Sequence, residues 1–323
     1  MRSKRSVTVL AAMAVLAVLA AACGSSGGSG ALKDLAGQVD VDGSSTVFLI
    51  SQAVAEEFRN EAPGVKVTIG ESGTGGGFKK FCSDNLAERT DLSDASRPIK
   101  DEEKAQCTKN GIEYVELKIA LDGLSIVTHP SNTFVDCLTK DELKKIWAPN
   151  STVNNWKDVR AGFPDKPLKL YGPGTASGTF DYFTKEIVGE EGSSRSDYTP
   201  NEDDNILVRG IADDTGSLGY FGFGYYEQNT DKLRLLGVDS GAGCLKPSKD
   251  SIQGGTYKPL SRPLFVYIAR SSIAREEVTA FVDFYLDNVN ALVQDVGYVA
   301  LPSADFAGTQ QTWTAAHPAS PPA

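Results

Sequence analysis

Three times along this chain, a short alternating apolar run passes through small hydroxyl residues into an amphipathic segment. The first is QVDVDGSSTVFLISQAVAEEF: a strand near Val39–Val41, a joint at Gly43–Ser45, then Val47, Ile50, Val54 and Phe58 at helical spacing. The second is VKVTI (Val65–Ile69), which runs into GESGTGGG and a helix expected from near Phe78. The third is LKLY, ending at Tyr171, followed by GPGTASGT and a helix expected from Phe180. Strand followed by helix, repeated, predicts α/β layers with mainly parallel sheets. It also predicts where a ligand would sit, since sites in such layers form beyond the carboxyl ends of strands, where helices begin.

The remainder alternates in the same way. VELKIALDGLSIVTH reads as one long extended stretch and TKDELKKIW (Thr139–Trp147) as a helix. SLGYFGF, KLRLLGV and RPLFVYIA read as strands, and REEVTAFVDFYLDNV (Arg275–Val289) as an amphipathic helix. The closing QQTWTAAHPASPPA reads as a loose tail. With 323 residues, two domains of ordinary size are expected.

The joints carry chemistry. A helix N-terminus offers unpaired N–H groups and about half a unit of positive charge. Ser and Thr hydroxyls add donors, and glycine lets the backbone approach closely. Together they make a neutral cradle for an oxyanion stripped of water. Taken singly, each joint is accounted for by an ordinary helix cap. Nor does GTGGGFKK fit G-x-x-x-x-G-K-[ST], so it does not identify a nucleotide site. Three joints of one make, containing GTGGG and SGT, go beyond what capping requires. A fourth segment, TDLSDASRPIK, sets Ser96 and Arg97 before Pro98, which holds the backbone extended or turning at Arg97. Arginine presents a planar fork of donors suited to a tetrahedral oxyanion.

The first residues, MRSKRS, are basic, and Val7–Ala22 is continuously apolar or small up to Cys23. That pattern predicts a signal peptide over residues 1–22, too short to span a bilayer comfortably. LAAAC followed by GSS resembles the lipobox of bacterial lipoproteins, with Leu19 one place early, and implies lipidation of Cys23. GSSGGSG then reads as part of a flexible tether over residues 23–36. Four cysteines remain, Cys82, Cys107, Cys137 and Cys244, an even number that predicts two disulfides in an exported chain. Three connectivities exist; sequence proximity favours Cys82–Cys107 with Cys137–Cys244. No CxxC is present, and with only His129 and His317 neither a metal centre nor a cofactor is expected. The formal charge is −10, and loss of Arg2, Lys4 and Arg5 with the signal makes the chain more acidic still. Nucleic acid is therefore not an expected partner. An anion would have to be held by local design rather than by overall attraction.

DGSSTV, SGTGGGFKKF, DASRPI and ASGTFDYF, in that order after a lipoprotein signal, resemble the phosphate-binding subunit of bacterial phosphate ABC importers. YTPNEDDNILVRGI and GSLGYFGFGYYE resemble that family too, so the similarity runs from about Gly37 to Pro302. It implies a two-lobed, type II periplasmic binding protein that closes on its ligand like a hinge. The two chain crossings are expected near Ala120–Gly123 and Tyr257–Pro263. Lobe 1 would then comprise residues 37–121 and 262–308, lobe 2 residues 122–261, and the tail residues 309–323.

Carried over motif by motif, the resemblance implies phosphate contacts from Thr46 and the Val47 amide with Ser45 beside them, from Thr74 and Gly75, and from Ser177, Gly178 and Thr179. Ser96 and Arg97 join them. Two positions depart from the family pattern. Pro173 stands where many members carry an Arg, and Arg97 where many carry an Asp. A protonated phosphate must donate a hydrogen bond, and Asp181, Asp94 and Asp42 are the candidate acceptors. The implied partners are phosphate and a permease–ATPase complex. The implied state is a monomer, exported and tied to the outer face of the membrane by its lipid.

Other readings are a binding protein for sulfate, molybdate or another oxyanion, and a surface sensor or adhesin using Tyr225, Tyr226 and Glu202–Asp204. An enzyme, whether a serine hydrolase using Ser177 or a secreted phosphatase, is not expected. The chain shows no G-x-S-x-G, and His129, before Pro130, is not placed to act as a base.

Overall fold

The computed structural model describes residues 32–317. The expected signal peptide, Cys23 and most of the tether lie outside the described residues, as do residues 318–323. Strand β1 (Ala36–Gly43) runs parallel to β2 (Gly64–Glu71) on one side and to β3 (Leu92–Ala95) on the other. Helix α1 (Ser45–Glu61) follows β1, α2 (Gly73–Phe81) follows β2, and α3 (Asp101–Lys109) follows β3. Val47, Ile50, Val54 and Phe58, the stripe expected of α1, are all fully buried. Burial of each such side chain contributes roughly 1.5–3 kcal/mol.

Strand β4 (Tyr114–Thr128) is long enough to serve two sheets. Its first part pairs antiparallel with β11 (Ser261–Ala269), which in turn pairs with β3. Beyond Gly123 it pairs instead with β8 (Ser217–Gly222) and β9 (Arg234–Asp239). Around these lie β5 (Cys137–Thr139), β6 (Lys169–Gly172), β7 (Thr199–Pro200) and β10 (Cys244–Leu245). The main path is β2-β1-β3-β11-β4-β8-β6-β7.

The expectation of mainly parallel sheets needs correction, because both are mixed. Parallel pairing holds where strand, joint and helix follow one another, as in β1–β2, β1–β3 and β6–β8. The pairs made by the crossing strand β4 are antiparallel, because β4 and β11 run in opposite directions between the halves. Periodicity alone did not carry that information.

Helices α4 (Lys140–Trp147), α5 (Gly178–Phe183) and α6 (Asp204–Asp213) belong to the second sheet, and α7 (Glu276–Asp295) returns to the first. Two principal cores result. One joins Val39, Ile50 and Phe58 to Phe281 and Tyr285 of α7; the other is built on Trp147, Trp156, Phe183 and Tyr220. They define a first and a second lobe. Val299 and Leu301 pack with the second core. Cys82 bonds Cys107, tying α2 to α3, and Cys137 bonds Cys244, tying β5 to β10.

Both ends of the body differ from expectation. Leu32 and Leu35, assigned to the tether, pack against the first core. Residues 309–316, expected in a loose tail, belong to helix α8 (Ser303–Ala316). Its Trp313 is buried and donates Nε1–H to Asp283 at 2.6 Å, while Lys118 pairs with Asp305 at 2.6 Å. Tertiary contacts, rather than an amphipathic pattern, hold this helix, so its sequence reads as polar and loose.

Candidate functional site

The carboxyl ends of the first three strands gather at Gly43. The Ser72 amide donates to Gly43 O at 3.1 Å, and the Ser44 amide to Asp94 O at 2.9 Å. A Cβ on Gly77 would fall 2.6 Å from the Gly43 Cα, so only glycine lets α2 press against the end of β1. This corrects the sequence expectation. The helix begins at Gly73, not near Phe78, and GTGGG forms its first turns. Mid-helix glycine costs roughly 1 kcal/mol relative to alanine, and the close approach explains why it is tolerated.

Capping does not explain the first two joints. At α1, the N-cap residue Ser44 makes no side-chain cap bond. At α2, the Ser72 hydroxyl is turned away to Asp42 and again caps nothing. The first-turn amides of Thr46, Val47, Thr74 and Gly75 thus lack both an intrahelical partner and a cap. Only the third joint behaves as a cap, with the Thr179 amide donating to Ser177 Oγ at 3.2 Å.

Helix α5 comes from the other lobe and meets α1 directly. A Cβ on Gly178 would lie 2.6 Å from Ser45 Oγ and 2.8 Å from the Thr46 amide. Phe183 stacks on Tyr220 at 3.7 Å and meets Trp147 edge-on, which fixes α5 to the second core. Thr74 and Ser96 meet on the first-lobe side: the Ser96 amide donates to Thr74 Oγ1 at 3.1 Å, and their hydroxyls are 3.1 Å apart.

Arg97 stands beside Gly75, with Nη2 3.8 Å from where a Gly75 Cβ would be. Both its terminal nitrogens donate to Glu103, at 2.7 and 2.8 Å, so its charge is answered within its own segment. The sequence reading missed a second arginine. Arg262 sits opposite Asp122 in the β4–β11 ribbon and donates Nε–H to Asp122 Oδ2 at 3.1 Å. Its Nη2 donates to Thr46 Oγ1 at 2.9 Å and to Gly178 O at 3.2 Å, and its guanidinium lies 3.9 Å over the Tyr182 ring. The signal was present: Ser261-Arg262-Pro263 repeats the Ser96-Arg97-Pro98 tripeptide that drew attention to Arg97. Burial pushes the fully buried Asp122 carboxyl up, against the pull of Arg262.

The three candidate acceptors separate clearly. Asp42 is taken by the Ser72 hydroxyl and by Lys80 Nζ at 2.5 Å. Asp94 is buried in β3; burial pushes it up to about 7, opposed by the Ser51 hydroxyl and reinforced by the Asp42 charge. Asp181, half-buried on α5, is pushed up to about 6 by burial and by Glu191, with Arg262 opposing and Glu71 adding. It alone of the three belongs to α5, whose start meets α1. A cavity of about 430 Å³ bordered by Gly174, Thr175, Tyr198 and Glu202 takes in none of the predicted site residues. His129 bonds Ser131 at 2.7 Å, and among the described residues no His, Cys, Asp and Glu cluster suits a metal.

Known proteins share this sequence and architecture. The model of the PBP superfamily domain matches residues 30–289. Protein SphX of Synechococcus elongatus is 46% identical over 276 residues, covering 84% of this chain and 80% of the relative. The phosphate-binding protein PstS of Staphylococcus saprophyticus is 41% identical over 276 residues, covering 85% and 83%. A crystal structure of a possible phosphate binding protein from Planctomyces limnophilus superposes with a TM-score of 0.81 at 49% identity, over 87% of this chain and 99% of that one. The Staphylococcus and Planctomyces proteins are named as phosphate-binding proteins rather than enzymes, and the mixed two-lobed α/β architecture is that of type II periplasmic binding proteins. The chain belongs to the PBP superfamily, within the family of the SphX and PstS proteins.

Proposed function

We propose that this protein captures inorganic phosphate outside the cytoplasmic membrane and delivers it to an ABC importer. The observation that carries this reading is the meeting of helix starts from two lobes, the uncapped α1 against α5, beside strands that cross between them. Such ends supply N–H donors and positive potential without a full charge, which suits an oxyanion. Thr46, the Val47 amide, Thr74, Gly75 and Ser177–Thr179 contact the ligand; Ser45, Ser96 and Arg97 flank it. Asp181 accepts the phosphate proton.

Lobe 1 comprises residues 32–121 and 262–316, apart from Val299 and Leu301, and lobe 2 residues 122–261, closing about the crossings. Residues 1–22 direct export. Cys23 carries the lipid that ties a monomer to the outer membrane face, where a permease with its ATPase receives phosphate. PstS relatives named for phosphate binding support the ligand. The deciding experiment is calorimetry on the chain lacking residues 1–23, freed of bound ligand. One phosphate per chain is expected, with sulfate a poor competitor. Absence of any heat or saturation with phosphate would overturn the assignment.

A further inference from the structure

We infer that Arg262 supplies the ligand-facing positive charge of this site and, from its place between the lobes, links anion binding to their closure. This rests on the phosphate reading above. Among the two guanidiniums near the cradle, Arg97 spends both terminal nitrogens on Glu103. Arg262 does not. Its Nε is held by Asp122 and its Nη2 by Thr46 and Gly178, while among the described residues Nη1 has no protein acceptor. Thr46 Oγ1, in accepting from Arg262, is left with its own proton to donate, next to amides that also lack acceptors.

The placement matters as much as the charge. Arg262 and Asp122 are directly opposed residues of the two crossing strands, so their pair belongs to the hinge rather than to either lobe. From there one side chain reaches Thr46 in the first lobe and Gly178 and the Tyr182 ring in the second. Tyr182 in turn donates to Pro259 O at 2.5 Å, just ahead of β11. The side chain of Arg262 is 15% exposed and that of Asp122 fully buried, so water screens the guanidinium little. Separating the lobes must cost Arg262 the contacts on one side. An anion seated against Nη1 and the Thr46 hydroxyl favours the arrangement in which both sides are engaged. Asp122 acts through Arg262, fixing its fork.

The test measures phosphate affinity for wild type, Arg262→Lys, Arg97→Gln and the double variant Arg262→Gln/Asp122→Asn. The double variant removes both charges together, so no buried carboxylate is orphaned. Lysine keeps the charge but cannot serve Asp122, Thr46 and Gly178 at once. With Arg262 in the stated role, the double variant loses at least about 100-fold and the lysine variant about 10-fold or more. Arg97→Gln loses less than either. If wild type binds phosphate and either Arg262 variant, folded by circular dichroism, binds within about 3-fold of it, the role assigned to Arg262 is wrong and the phosphate reading stands. If wild type itself binds no phosphate, both fall.

Discussion

Gly178 on the second lobe lies so close to Thr46 on the first that any side chain at residue 178 would strike the Thr46 hydroxyl and amide. Two helix starts can touch only because one of them lacks a Cβ. Gly178→Ala should therefore hinder closure without disturbing either core. Calorimetry should show phosphate affinity down by about 10- to 100-fold, the scale of a 1–3 kcal/mol overpacking cost. The thermal midpoint of the unliganded protein should stay near that of wild type. A variant that binds as tightly as wild type would show that the lobes do not close by this contact.

The strands and helix starts around this contact were partly legible in the sequence. The stripe Val47, Ile50, Val54, Phe58 and the strand VKVTI announced themselves by period, and all lie where the period put them. The three joints were readable as helix starts because Ser, Thr and Gly cluster there for stated reasons. Which joints are capped was not readable. Ser44 and Ser177 look alike in sequence, yet only Ser177 bonds its own helix. Arg262 escaped notice because it opens an apolar strand and its partners, Asp122 and Thr46, are 140 and 216 residues away. Long-range pairing leaves no local periodicity, and residues 309–316 of helix α8 read as tail on the same account.

Arg97 and Glu103 make a second testable pair. Burial pushes the Glu103 carboxyl up, but the Arg97 bonds and the Lys100 amide outweigh it and hold the group below its ordinary value of 4.5. A lowered folded-state value means that the folded chain holds the charge more readily than the unfolded one. The pair's contribution is thus complete above about pH 4.5 and is lost as pH falls through the lowered value. Glu103→Gln should therefore be less stable than wild type at pH 7, by under about 1 kcal/mol for a partly exposed pair. The difference should vanish in strong acid. Denaturant titrations at pH 7 and pH 3 would check both limbs; an equal difference at the two values would refute the linkage.

Asp94 predicts the opposite sign. Among the described residues both its carboxylate oxygens are buried without a hydrogen-bond partner, and burial pushes the group up to about 7. Here the folded state holds a proton that the unfolded state releases from about pH 3.8 upward. Stability therefore falls as pH rises between those values and levels off above 7. Asp94→Asn keeps the shape without an ionisable group. It should stabilise the protein at pH 8, by as much as about 4 kcal/mol, and far less at pH 4. Since the Asp94 side chain neighbours Ser51 and Tyr285, and only its backbone carbonyl meets the start of α1, phosphate affinity should be unchanged.

Asp181 sets the expected selectivity. A carboxylate accepts the proton of a protonated phosphate but repels sulfate, which has none to offer, and a buried group left unpaired this way can discriminate by several orders of magnitude. Asp181 is an acceptor alone, and repels sulfate, only while ionised, and burial with the Glu191 charge has pushed it up to about 6. Wild type should thus prefer phosphate over sulfate strongly at pH 8. The preference should narrow as pH falls below about 6, where Asp181 carries its own proton and can donate to either anion. Asp181→Asn, whose amide can also donate, should bind sulfate more tightly than wild type at pH 8, and its preference should no longer follow pH through this range. Competition titrations at pH 5 and pH 8 measure both. A wild-type ratio that does not change with pH, or an asparagine variant as selective as wild type, would move the acceptor away from Asp181.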